Sequence, residues 1–120
     1  MATILVVDDS PTEIFKFKEI LQNSGFDVIE ASSGADGVAL AKQALPDLIL
    51  MDVVMPGLNG FQATRQLSKA PETEHIPVVI LTTKDQPTDK VWGQRQGAKE
   101  YLVKPVDEDV LIQAIQRFLP

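Results

Sequence analysis

The stretch Thr3-Ile4-Leu5-Val6-Val7-Asp8-Asp9-Ser10-Pro11-Thr12-Glu13 decides how this chain is read. Its first part is apolar on consecutive positions and rich in β-branched residues, the composition of a strand covered on both faces in a parallel sheet. The run ends abruptly in two carboxylates. Ser10-Pro11-Thr12-Glu13 then opens a helix: a serine placed to cap it, proline at the first helical position, and a glutamate three residues on that completes a capping box. A strand that passes through an acidic turn directly into a helix is the first half of a β-α-β unit.

The same rhythm repeats to the end of the chain. Short Ile, Val and Leu-rich runs at 3–7, 28–31, 48–51, 78–81 and 101–103 read as five strands, and amphipathic stretches between them read as crossover helices. The first helix fits 11–24, with Gly25 as its left-handed exit. A second follows Ser33-Gly34-Ala35-Asp36 and ends near Leu45-Pro46. The third follows the Pro56-Gly57 turn, is capped by Asn59 and buries Phe61 and Leu67. The fourth lies between Pro87 and Gly97. Asp107 caps the fifth, with Val106 stapled onto Leu111. Helical spacing assigns Val91, Leu111 and Ile115 to the core, while Trp92 suits either an exposed face or packing on a neighbouring helix. Right-handed crossovers turn this order into an α/β fold, a three-layer α/β/α sandwich with a five-stranded parallel sheet of flavodoxin-like strand order 2-1-3-4-5.

Composition sets the outer bounds. A length of 120 residues, 44% hydrophobic and 23% charged, suits one globular domain spanning 1–120. No apolar run approaches the roughly 18 residues of a membrane span, and the start lacks a signal pattern, so a cytoplasmic protein is expected. A net charge of −6 with scattered Lys and Arg argues against nucleic acid as a direct partner. The absence of cysteine leaves carboxylates as the metal ligands, which favours a hard cation.

Open α/β sheets place their ligands beyond the carboxyl ends of the strands, near the point where the winding reverses. There the strands end in Asp8-Asp9, Asp52, Thr82-Thr83 and Lys104; the edge strand contributes only Ser32-Ser33. Singly, each has an ordinary reading as a cap, a satisfied hydroxyl or a solvated end. Together they bring three carboxylates, a hydroxyl and an ammonium to one rim. Two carboxylates at 4 Å repel by about 4 kcal/mol at an effective dielectric of 20, so a cation or a proton has to intervene. Mg²⁺ suits the set, since it binds a few carboxylates and bridges to phosphate oxygens. Asp52 is then an oxygen nucleophile toward phosphorus, Lys104 a point charge for a phosphoryl oxygen and Thr82 a short-range donor. The single histidine, His75, reads as a solvated loop residue.

With these residues in place, the whole chain resembles the receiver domain of two-component response regulators, the single-domain chemotaxis type in particular. The resemblance implies that Asp52 is the phosphorylated aspartate. It further implies that Asp9, Asp52 and the Val54 backbone carbonyl hold Mg²⁺, with Asp8 assisting through water. Thr82 resembles the switch hydroxyl, Tyr101 the rotating aromatic, and Lys104-Pro105 the phosphate-sensing lysine followed by a cis proline, an isomer costing only about 0.5–1 kcal/mol before proline. Thr83 stands where the family usually has Ala or Gly, and Val54 and Lys84 occupy the positions that tune hydrolysis. The stretches Val7-Asp8-Asp9-Ser10-Pro11-Thr12-Glu13, Met55-Pro56-Gly57-Leu58-Asn59-Gly60-Phe61 and Thr83-Lys84-Asp85-Gln86-Pro87 are similar, more narrowly, to a receiver of the twitching-motility pathway.

The implied protein is a stand-alone phosphoacceptor without an output domain, limited to self-phosphorylation and slow self-dephosphorylation. A chemotaxis-type histidine kinase supplies the phosphoryl group. The signal leaves through the face of the fourth helix, fifth strand and fifth helix, with Lys90, Tyr101 and Val106 as contact residues, Tyr101 turning inward as Thr82 moves toward the phosphoryl group. A monomer without membrane or nucleic-acid partners is expected. Two other readings compete. A haloacid-dehalogenase-type phosphohydrolase needs Asp-x-Asp after its first strand, where Asp8 and Asp9 are adjacent here. A receiver-like interaction module that is never phosphorylated normally lacks one of the key residues, all of which are present.

Overall fold

The computed structural model describes residues 1–119. Five strands and five helices alternate: β1 (Thr3–Val7), α1 (Pro11–Asn23), β2 (Asp27–Ala31), α2 (Gly34–Ala44), β3 (Leu48–Met51), α3 (Gly60–Lys69), β4 (Val78–Thr82), α4 (Pro87–Arg95), β5 (Glu100–Val103) and α5 (Glu108–Phe118). All strand pairs are parallel, in the order β2-β1-β3-β4-β5 expected from the sequence.

The two-residue period of the strands sorts their side chains between two faces. Ile4, Val6, Leu48, Leu50, Val79 and Leu81 meet α1 and α5 through Phe17, Leu21, Leu111 and Ile115. Leu5, Val7, Ile49, Met51 and Val78 turn the other way onto α2 and α3 through Val38, Ala41, Ala63 and Leu67. A third cluster of Val53, Phe61, Ile80, Ala98 and Tyr101 lies beneath α4. No helix among the described residues is long and apolar enough to cross a membrane.

Most helix starts follow the sequence signals. Ser33 Oγ accepts the Asp36 N–H at 3.1 Å, and Asn59 and Gln62 exchange both bonds of a capping box at 2.9 Å each. Gly25 has φ +89° at the exit from α1. Two caps differ from expectation. Asp107 occupies the cap position of α5, but its side chain makes no capping bond; the helix opens on the backbone bond from Leu111 N–H to the Asp107 carbonyl at 3.0 Å, and the exposed carboxylate stays in water. At α1, Ser10 Oγ accepts the Glu13 N–H at 3.3 Å, yet the Ser10 N–H goes to Asp8 Oδ1 at 3.0 Å, which leaves the Glu13 carboxylate for another partner.

Val91, expected in the core, is 49% exposed, and Trp92 beside it is 50% exposed. The inward side of α4 is carried instead by Gly93, which is buried, followed by the buried Gln96 at the cap that ends the helix. A Cβ at Gly93 would lie 2.9 Å from Ile80 Cδ1 and 3.0 Å from the Tyr101 ring, so the helix rides close to the sheet there and turns Val91 and Trp92 outward.

Candidate functional site

Register brings the site together. Val7 pairs with Met51, so the next residues, Asp8 and Asp52, leave the sheet side by side. Their backbones are pinned: Asp52 N–H donates to the Val7 carbonyl at 3.0 Å, and Asp8 N–H to the Ala31 carbonyl at 3.2 Å. On the other side Thr82 pairs with Val103, and Lys104 N–H donates to the Thr82 carbonyl at 2.8 Å. The Lys104–Pro105 bond is cis.

Asp8, Asp9 and Asp52 each offer a carboxylate oxygen within 4.8 Å of the others. Asp8 and Asp52 are buried, whereas Asp9 faces solvent. Like charges this close repel one another, and an all-oxygen donor set of this kind suits Mg²⁺ or another hard ion. Val54, two residues beyond Asp52, is exposed.

Electrostatics mark Asp52 out. Burial pushes its carboxyl above the ordinary 3.8 and the Asp8 charge adds to the rise, while Lys104, the Thr82 hydroxyl and the Val53 backbone pull against it. Lys104 has its side chain 9% exposed; it donates to Asp8 Oδ2 at 2.8 Å and lies 3.3 Å from Glu13 Oε1. Its Nζ also sits 5.5 Å from the centre of the Phe17 ring. Burial alone would lower the Lys104 ammonium, but the Asp8 hydrogen bond and the charges of Asp52, Asp8 and Glu13 outweigh it, and the net shift is upward. Thr82 is fully buried, and its Oγ1 lies 3.5 Å from the Lys84 amide.

Tyr101 departs from its expected place on the exposed contact face. It is 7% exposed, with its ring against Phe61 and Ile80 and its hydroxyl donating to the Lys84 carbonyl at 2.8 Å. Strand alternation explains this, because Tyr101 and Val103 point toward α4 whereas Leu102 joins the α1 and α5 core. Of the other expected contact residues, Lys90 is exposed and Val106 half-buried, packed beside the core that holds Leu111. His75 is exposed in the loop before β4, distant from the site in sequence and at the opposite end of the strand. An open cleft of about 380 Å³ is lined by Val53, Val54, Met55, Asn59, Phe61, Lys84 and Asp89, in the loops that follow β3 and β4 and the start of α3 and α4.

The family model described as "Response regulator receiver domain" matches residues 4–116. This chain belongs to the response regulator receiver family. The receiver is 63% identical over 119 residues to Protein PilH of Pseudomonas aeruginosa, covering 99% of this chain and 98% of that one. Among solved structures, chemotaxis protein CheY4 of Vibrio cholerae superposes with a TM-score of 0.93 at 34% identity, covering 99% of both chains. The receiver domain of sensor histidine kinase PA1611 from Pseudomonas aeruginosa, with a magnesium ion coordinated in its active site cleft, has a TM-score of 0.90 at 29% identity and covers 98% of this chain and 96% of that one.

Two residues of the receiver's site escaped the sequence reading. Glu13 looked like the second half of a capping box, and Phe17 was not singled out at all. The signal available was positional, since α1 begins where β1 delivers its two aspartates, and its first turns must border the site.

Proposed function

We propose that Asp52 is the phosphoacceptor of this receiver, taking a phosphoryl group from the phosphohistidine of a partner kinase. The observation that carries the reading is the set of three carboxylate oxygens within 4.8 Å of one another, built around a buried Asp52 with Lys104 and Thr82 beside it. Asp8, Asp9, Asp52 and the Val54 carbonyl are the groups to hold Mg²⁺, which would neutralise charge on the carboxylates and on the incoming phosphoryl oxygens. An Asp52 carboxylate oxygen forms the new bond to phosphorus as the bond to the histidine nitrogen breaks; the N–P electron pair stays on that nitrogen, and the imidazole, already protonated at its other ring nitrogen, leaves neutral. Lys104 supplies a positive charge and Thr82 a hydroxyl donor to the phosphoryl oxygens.

Readout belongs to the face made by α4, β5 and α5. Lys90, Val91 and Trp92 are exposed on it, whereas Tyr101 lies beneath. A dianion at Asp52 would recruit Thr82 and Lys104 and shift the Lys84 backbone that holds the Tyr101 hydroxyl. The protein acts as a cytoplasmic, monomeric, single-domain receiver that signals by protein contact in type IV pilus twitching motility or a chemotaxis-like pathway. What supports this placement is the near full-length identity to PilH.

Incubation with labelled acetyl phosphate and Mg²⁺ tests the assignment. One hydroxylamine-sensitive phosphoryl group per chain is expected, lost in Asp52→Asn. Turnover of many substrate equivalents would indicate a phosphohydrolase, and no incorporation a binding module that is never phosphorylated.

A further inference from the structure

Resting on the phosphoacceptor reading above, we propose that Glu13 is a positioning residue for Lys104: its carboxylate holds the ammonium against α1 while Asp52 is free, and gives it up when an anion occupies Asp52.

Glu13 stands at the third position of α1, where a glutamate ordinarily folds back onto the cap residue's amide. Here that amide is taken by Asp8 Oδ1, and the Glu13 carboxylate lies 3.3 Å from Lys104 Nζ instead. Lys104 is thus enclosed by Asp8 at 2.8 Å, Glu13 at 3.3 Å and the Phe17 ring at 5.5 Å. All three partners lie on the β1–α1 side. No hydrogen bond or ion pair among the described residues joins Lys104 to Asp52, although the two charges influence one another.

The two carboxylates holding Lys104 differ in one respect. Asp8 belongs to the acidic set that suits a cation, whereas Glu13 lies outside it. A cation that engages Asp8 therefore weakens one hold on Lys104 and leaves the other. Glu13 then decides how readily the ammonium crosses to an anion on Asp52. Its side chain is 31% exposed against 9% for Lys104, so the pair is partly shielded from solvent and its strength is modest and adjustable.

A double-mutant cycle with fluoroberyllate and Mg²⁺ tests the assignment. Wild type, Glu13→Gln, Lys104→Gln and the double variant are titrated, with binding read by ¹⁹F NMR and by Trp92 fluorescence, and folding of each variant checked by its Tm. Removing the competing carboxylate should tighten fluoroberyllate binding about threefold, the scale of a partly exposed ion pair. In the Lys104→Gln background the same substitution should change nothing, and Glu13→Asp, one methylene shorter, should fall between. Unchanged or weaker binding in Glu13→Gln overturns the proposal. An equal gain in the Lys104→Gln background also overturns it, since Glu13 would then act only by repelling the anion. Failure of the folded wild type to bind would remove the phosphoacceptor reading itself, a different pattern from either.

Discussion

Asp52 is a carboxylate placed where its charge is disfavoured. Burial raises its titration above the ordinary 3.8, with the Asp8 charge adding to the effect. An acid whose folded value is raised stabilises the fold fully below its unfolded value and loses that contribution as pH rises through the folded one. In metal-free protein Asp52→Asn should therefore raise Tm at pH 7 by about 3–5 °C, on the order of 1 kcal/mol, and the gain should shrink as pH falls toward the unfolded value. A pH-independent gain would mean that the amide stabilises by packing instead. Tyr101 obeys the same sign at the alkaline end. Burial, with the charges of Asp89, Asp52 and Asp85, pushes its phenol from 10.0 up to about 12. Tyr101→Phe should cost about 1 kcal/mol near neutral pH through loss of the bond to the Lys84 carbonyl. The deficit should narrow between 10.0 and about 12 as wild type is forced to ionise. Denaturant melts taken from neutral pH up through that range read both the cost and its narrowing.

At the level of elements, the approach of α3 to the site depends on Gly60. A Cβ there would run into the Asp52 carbonyl and lie 2.7 Å from Val53 Cα, both of them backbone, so no side chain can move to relieve it. Gly60→Ala should destabilise by about 2–4 kcal/mol and displace the loop that carries Asp52, lowering phosphoryl incorporation even where the protein remains folded. Incorporation at the wild-type rate would show that the loop tolerates the shift. That constraint is invisible in the sequence, where Asn59 reads as a cap and Gly60 beside it carries no signal of its own. Strand runs and most helix starts were legible because each rests on local periodicity or on a cap, and the sheet order because right-handed crossovers leave few arrangements of a β-α alternation. The strand-end carboxylates were legible because the topology dictates where strand ends go. Tyr101, Val91 and Glu13 were not. Their places depend on which face of β5 looks at α4, on the gap that Gly93 leaves, and on an amide that Asp8 occupies before Glu13 can reach it. These are contacts between elements, and a reading of one element at a time does not contain them.

Across the whole molecule, the sheet delivers charge to one rim while its two faces carry the apolar packing, so stability and reactivity are separable. Leu111 and Ile115 are fully buried in the α1 and α5 core. Truncating either to alanine should cost about 2–5 kcal/mol, whereas Trp92→Ala on exposed α4 should stay within about 0.5 kcal/mol. The rim behaves in the opposite way, because its three carboxylates lie close together and burial disfavours the charge on Asp52, so a cation gains there what apolar packing cannot supply. A cation that binds only the folded rim stabilises it by RT ln(1 + [L]/Kd), about 2.7 kcal/mol at one hundred times Kd. Mg²⁺ should therefore raise Tm with a dependence that keeps climbing logarithmically beyond Kd, whereas NaCl at matched ionic strength should give a small shift that levels off. Asp9→Asn and Asp52→Asn should each blunt the Mg²⁺-specific part. Asp27→Asn, an exposed carboxylate at the far end of the sheet, should leave it intact. Equal responses to Mg²⁺ and NaCl, or an undiminished Mg²⁺ response in both rim variants, would mean that the acidic cluster is a screened surface feature instead of a cation site.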